Sequence, residues 1–235
     1  MSLKRVIKIG GSLLFEGDKI NSTKIKKFCE LIRPRDDILA IVCGGGIIAR
    51  KYIQTLREFG VNESKCDMMG IYISRLNARL IIEGLGNASF PMALKTIEDL
   101  AKNMLFKKIL VLGGLQPGQS TTSVALEVSE FLNADELLIM TDVEGIFNKD
   151  PKKFPDAIKF DELTKIQLQN LILESSSNNQ AAAGEYRIFD AVSLQILKRS
   201  NLNVRIFSGK DLTQLKKILD GNPSGIGTVI KSGQN

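Results

Sequence analysis

Val111-Leu112-Gly113-Gly114-Leu115-Gln116-Pro117-Gly118-Gln119-Ser120-Thr121-Thr122 reads as an apolar strand that ends in two glycines, passes a tight Pro-Gly turn and reaches three hydroxyls that open a helix. That is the build of a phosphate pocket. Backbone N–H groups at a helix start lack intrahelical partners and carry partial positive charge, and glycines let anionic oxygens approach them. The device occurs twice more. Ile7-Lys8-Ile9-Gly10-Gly11-Ser12 sets a lysine inside an apolar strand that ends in glycines, and Ile41-Val42-Cys43-Gly44-Gly45-Gly46 runs into the helical stretch Ile47-Ile48-Ala49-Arg50-Lys51-Tyr52. A single glycine pair after a strand is an ordinary βα turn. Three at carboxyl ends of strands converge on one edge of a parallel sheet, where open α/β folds bind ligands. Such convergence favours a ligand with several phosphates.

The chain of 235 residues is long enough for one large domain or two small intimate ones, and its 43% hydrophobic content supplies a core. A net charge of +6 raises nucleic acid as a partner, but Lys and Arg are spread along the chain with no aromatic-interleaved basic block. An anionic small substrate and a solvated lysine-rich surface fit better. There is no histidine, which removes His general bases, His metal ligands and every Ser-His triad. Cys29, Cys43 and Cys66 form an odd set without C-x-x-C spacing, so neither a disulfide framework nor a zinc site is expected, and a reducing cytoplasm fits. The amino-terminal segment is a short strand, and no signal peptide or membrane span is expected.

Short apolar runs near 4–9, 38–43, 89–94, 107–112, 136–141, 203–207 and 226–230 predict strands, with amphipathic stretches between most of them. The alternation predicts an α/β fold with a central, mainly parallel sheet and helices on both faces. Helical periodicity covers Thr23 to Ile32, Ile47 to Phe59 and Asp67 to Gly84, which places Asp67 near a helix start. Arg79 and Glu83 read as a solvated ion pair. Asp190 is placed to cap a helix running through Leu197. Residues 175–184 are polar and unpatterned, a flexible loop or a plain surface connection.

Six segments in order resemble the amino-acid kinase superfamily, and within it the archaeal uridylate (UMP) kinases. They are Lys8-Ile9-Gly10-Gly11-Ser12, Gly44-Gly45-Gly46 with Ala49 to Tyr52, Gly70 through Ser74-Arg75-Leu76-Asn77-Ala78, the loop from Gly113 to Thr121, Thr141-Asp142-Val143-Glu144-Gly145 with Lys149-Asp150-Pro151, and Ala183-Gly184 before Asp190. The resemblance implies one three-layer α/β/α domain over residues 1–235, with an acceptor half of about 1–135 and an ATP half of about 136–235. It further implies a homohexamer that moves the γ-phosphoryl of ATP to UMP with Mg²⁺.

In that frame Lys8 neutralises the transferring phosphoryl, and Arg50 reaches the phosphates from the second helix. Gly10, Gly11, Ser12 and Gly46 cradle ATP, while Thr141, Asp142, Phe147 and Asp150 hold its base and ribose. Gly45 faces the UMP phosphate and Asp67 accepts from its ribose. Leu115, Gln116, Pro117, Gly118, Gln119, Ser120 and Thr121 wrap uracil and phosphate. No residue is assigned as a metal ligand. Read alone, Thr141 and Asp142 are equally strand-end turn residues, and Phe147 equally core.

The chain departs from the family pattern at Asp142 (often Asn) and Phe147 (often Tyr). It has Thr122 where many members carry Asp, and Asp190-Ala191-Val192-Ser193-Leu194-Gln195 where Asp-Pro-Leu-Ala-x-Lys is typical. Two further readings stay open: another small-molecule kinase of the superfamily, and a kinase-like domain that binds nucleotide without turnover.

Overall fold

The computed structural model describes residues 3–149, 151, 154–177 and 188–233. Nine strands and eight α-helices form among them. The strands are β1 (Arg5–Ile9), β2 (Phe15–Glu16), β3 (Lys19–Ile20), β4 (Ile38–Cys43), β5 (Leu110–Leu112), β6 (Glu136–Thr141), β7 (Glu162–Leu163), β8 (Asn203–Ser208) and β9 (Thr228–Ile230). The helices are α1 (Ser22–Ile32), α2 (Gly46–Glu58), α3 (Glu63–Leu85), α4 (Ile97–Asn103), α5 (Thr121–Phe131), α6 (Lys165–Ser177), α7 (Ala191–Arg199) and α8 (Leu212–Leu219).

Seven strands build one sheet in the order β5-β4-β1-β6-β8-β9-β7, and β2 and β3 make a separate hairpin. All pairings from β5 across to β8 are parallel; β9 runs antiparallel to β8 and parallel to β7. The chain moves outward from β1 through β4 to β5 and then returns to the other side of β1 as β6. The carboxyl ends of β1 and β6 therefore flank a switch point, where connections diverge and leave a crevice.

The sheet's central strands are buried on both faces, as their continuous apolar sequences require. Two cores result. Ile7, Ile9, Ile41 and Leu138 pack beneath α1, α3 and α8 on one face, while Val6, Val42, Leu137 and Ile139 pack beneath α4, α5 and α7 on the other. This is the expected three-layer α/β/α arrangement.

Three expectations need correction. Residues 89–94 form no strand, because only Ser89 and Leu94 make isolated bridges, to Ile109 and Leu112. The strand expected from residue 107 begins at Leu110, after Lys107 takes a left-handed turn (φ 50°). The helix expected from Asp67 begins at Glu63, since the Asn62 side chain accepts from the Lys65 N–H and caps it there, which leaves Asp67 more than a turn inside. The expectation for residues 175–184 lies outside the described residues from 178 onward.

At the opposite end of the sheet Arg5, 6% exposed, donates to Asp37 at 2.5 Å and to Glu136 at 3.0 Å, and Glu136 also accepts from Arg205 at 3.3 Å. Arg5→Ala leaves both carboxylates buried with one cation fewer, and is expected to cost about 3–5 kcal/mol in urea denaturation. A loss under about 1 kcal/mol would mean that water already reaches this network.

Candidate active site

The first and second glycine loops meet backbone to backbone. A Cβ on Gly11 would lie 2.0 Å from the Gly46 nitrogen, and one on Gly46 would lie 2.5 Å from the Gly11 oxygen. Gly46 also holds φ +71°, which L side chains rarely adopt, and it opens α2 from there. The Gly44 N–H donates to the Ile9 oxygen at 2.9 Å, and the Gly10 N–H to the Met140 oxygen at 2.8 Å. The ends of β1, β4 and β6 are thereby joined around Gly10 to Ser12.

Helix α3 positions the other loops. The buried Asn77 amide donates to the Gly44 oxygen at 2.8 Å and the Gly45 oxygen at 3.3 Å. Ser74 Oγ accepts from the Gly114 N–H at 2.8 Å, and Arg75 donates to the carbonyls of Gly114 and Leu115 at 3.0 and 3.2 Å. A Cβ on Gly113 would lie 2.6 Å from the Arg75 nitrogen, so the third loop lies flat against the helix. Farther along the loop, Asp67 accepts from the Gly118 N–H at 2.8 Å, bringing two expected acceptor contacts together. Sequence reasoning saw the Ser-Arg-Leu-Asn run only as part of a family pattern and missed this clamp. Its signal was Ser74 and Asn77 at positions that share the helix face of apolar Ile71, Ala78 and Ile81.

Ser120 caps α5 by accepting from the Ser123 N–H at 3.2 Å. Asp190 caps α7 as expected, accepting from the Ser193 N–H at 2.6 Å, and it also accepts from Ser123 Oγ at 2.7 Å and the Ser120 N–H at 3.2 Å. Burial alone would raise the Asp190 pKa, but hydrogen bonds from Ser120, Ser193 and Ser123 hold it below the ordinary carboxylate value. One carboxylate thus fastens the third loop to α7. Gln119 donates to Glu127 at 2.7 Å while its own Oε1 is buried without a partner. An orphan buried acceptor of this kind suits a ligand N–H.

Lys8 shares the sheet face of Val6, toward α5, because side chains alternate along a strand. It makes no ion pair within 4.0 Å among the described residues. Burial lowers its pKa from 10.5 to about 8, with the Asp142 carboxylate opposing that fall. Asp142 is exposed at the end of β6 and accepts from Thr141 Oγ1 at 3.2 Å. Arg50 is exposed on α2, Ser12 is half-buried, and half-buried Phe147 bridges to Lys159. Asp150 lies outside the described residues. Of the departures, Thr122 is 3% exposed in α5, whereas Gln195 is exposed on α7.

A glycine-lined edge beside a lysine without an ion pair, and with no nucleophile–base pair among the described residues, suits binding and neutralising phosphate more than covalent catalysis. The model of the amino acid kinase family matches residues 4–208. The chain belongs to the amino acid kinase family. A uridylate kinase from Sulfolobus acidocaldarius is 37% identical over 228 residues, spanning 97% of this chain and 99% of the relative. One from Thermococcus kodakarensis is 36% identical over 97% of this chain and all of its own length. Among solved structures of the fold, the uridylate kinase of Archaeoglobus fulgidus superposes with a TM-score of 0.80 at 29% identity, covering 97% of this chain and 100% of that one.

Within this family member the α3 clamp generates a prediction. Asn77→Ala strips two buried carbonyls of their donor and is expected to cost about 1–3 kcal/mol in denaturant titrations. Faster amide exchange at Gly44 to Gly46 should accompany the loss. Unchanged exchange there would show that the glycine contacts alone hold the loop.

Proposed function

We propose that the protein transfers the γ-phosphoryl group of ATP to UMP, giving UDP and ADP. The observation that supports this reading most is the backbone contact of the first two glycine loops at the strand ends beside Lys8, with the third loop held to α3. The full-length likeness to proteins named uridylate kinases supports the choice of acceptor. An acceptor phosphate oxygen attacks the γ-phosphorus while the bond to the β,γ-bridging oxygen breaks, and ADP leaves with that electron pair. The protein's work is positioning and charge neutralisation.

Lys8 lies against the transferring phosphoryl, with Gly10, Gly11, Ser12 and Gly46 donating to ATP and Arg50 adding positive charge from α2. Thr141, Asp142, Phe147 and Asp150 take the ATP base and ribose. Gly45 meets the UMP phosphate, Asp67 accepts from the ribose beside its bond to Gly118, and Leu115 to Thr121 enclose the base. The orphan Gln119 oxygen suits the uracil N3–H. Within one domain, the half up to about residue 135 thus takes the acceptor and reaches the ATP phosphates, and the half beyond it takes the ATP base and ribose. Among the described residues no three His, Cys, Asp or Glu side chains gather as a metal cage, while the glycine loops offer donors to phosphate oxygens. Such an edge fits Mg²⁺ brought on the nucleotide with Asp142 at hand, where the ion supplies further neutralisation of phosphate charge.

Exposed Tyr72, Leu76 and Leu80 at four-residue spacing along α3 support self-association, and a homohexamer is the proposed assembly. No helix among the described residues is long and apolar enough to cross a membrane. Three buried free thiols support a reducing, cytoplasmic setting.

An ADP-release assay with ATP, Mg²⁺ and a panel of nucleoside monophosphates and small phosphorylated acceptors tests the reading. UMP is expected to be turned over at about 1–100 per second, and a chelator should abolish the activity. Binding of both nucleotides without UDP formation would instead identify a non-catalytic nucleotide-binding protein.

Lys8 gives two sharper expectations. Lys8→Ala should stay folded, since it removes a poorly solvated charge, while kcat/KM falls about 10²-fold or more. Below pH 8 the folded and unfolded chains both hold the Lys8 proton; between about 8 and 10.5 the unfolded chain holds more, so ligand-free stability gains from rising pH there. A triphosphate beside Lys8 restores its proton. ATP binding at about pH 8.5 should therefore take up about 0.5–0.8 proton, read by calorimetry in buffers of differing ionisation enthalpy. Equal uptake by Lys8→Met would place the proton elsewhere.

A further inference from the structure

A second cationic cleft, of about 540 Å³, opens between α1 and α8 with the turn that precedes α8, outside the glycine-lined edge. Lys24 and Lys27 enter it from α1, Lys210 from the turn that precedes α8, and Lys216 from the last turn of α8. Lys216 is paired with Asp220, but Lys24, Lys27 and Lys210 have no ion-pair partner among the described residues. The one acid in the lining, Asp211, already accepts from the Thr213 N–H and hydroxyl as the cap of α8. Asn21 is likewise spent on capping α1 through the Lys24 N–H. Three ammonium groups thus share a concave space with one committed carboxylate.

That arrangement is electrostatically unfavourable when empty. Partial burial and the neighbouring Lys210 ammonium depress the Lys24 pKa, with Asp211 opposing. Lys27 and Lys210 are exposed and Lys24 is half-buried, and like charges gathered in one cleft are relieved by an anion. Leu31 and Leu212 add apolar surface to the lining, so an occupant can carry a ring or chain as well as charge. The volume lies within the range of small-molecule sites.

We propose that this cleft binds a polyphosphate anion of the class borne by nucleoside triphosphates, at a site separate from the phosphoryl-transfer edge. Lys24, Lys27 and Lys210 provide the charge, and Leu31 and Leu212 the apolar support. Lys210 directly follows Gly209, whose N–H donates to the Thr141 oxygen at 2.7 Å. A Cβ on Gly209 would strike Leu13 and Met140, at 2.4 and 3.0 Å, so this turn is wedged against the first loop and β6. An occupant held by Lys210 therefore touches the segment that supports the end of β6.

Inorganic tripolyphosphate titrated by calorimetry into the full chain tests the proposal without turnover, and so independently of which acceptor is phosphorylated. The wild-type chain is expected to bind two equivalents. Lys24→Gln/Lys27→Gln should weaken one of them about tenfold or more, because two charge-assisted contacts are lost. Lys8→Ala/Arg50→Gln should weaken the other and leave the cleft's binding in place. Lys26→Gln/Lys102→Gln, which removes two exposed charges outside the cleft, should titrate as wild type. The proposal is overturned if Lys24→Gln/Lys27→Gln titrates as wild type, or if the Lys26→Gln/Lys102→Gln control loses as much affinity.

Discussion

Direct contact of backbone on backbone between Gly11 and the Gly44–Gly46 loop is the constraint on which the crevice depends. Any Cβ at Gly11 or Gly46 would push the ends of β1 and β4 apart, since the atoms it would meet are main-chain and cannot rotate away. With Gly10 tied to Met140, this contact brings β6 to the same place. The ends of three strands then meet at one place, a geometry that a lone glycine turn cannot supply. These glycines serve chain packing before they serve any ligand.

The two ends of β1 divide the electrostatic work. Arg5 sits at the amino end in a network with Asp37 and Glu136, each group buried and each charge answered. Lys8 sits three residues on with no ion pair among the described residues and a depressed pKa. At one end each buried charge meets its opposite, whereas at the other the loss of solvation outweighs the opposing Asp142 carboxylate. A protein that needs positioning and neutralisation more than proton transfer has no use for histidine, and this chain contains none.

Helix α3 turns sequence neighbours into a fixture for distant loops. Ser74, Arg75 and Asn77 direct their polar groups to Gly114, Leu115, Gly44 and Gly45, while Arg79 pairs with Glu83 in solvent. Arg79 and Glu83 read as a solvated ion pair from sequence, and the structure has them so. Burial separates the polar residues of α3, for Asn77 is 4% exposed and Arg79 sits on the open face. Asp67, nearer the start of α3, and Asp190, the cap of α7, act in the same way, each accepting from an N–H group of the third loop.

Apolar runs and helical periodicity by themselves determined the layered α/β plan, the strands at Arg5–Ile9, Ile38–Cys43 and Glu136–Thr141, and the edge on which the glycine loops converge. Those features follow from local burial patterns that a few residues encode. Pairing partners were decided only in the tertiary structure. The two-residue strand Glu162–Leu163 exists because β9 lies beside it, and residues 89–94, apolar enough for a strand, bridge at Ser89 and Leu94 alone. The reversal of β9 against β8, the grip of α3 on two loops and the grouping of Lys24 with Lys210 rest on contacts between residues far apart in the chain. No sequence window contains both partners of such a contact, so periodicity and propensity carry no record of it.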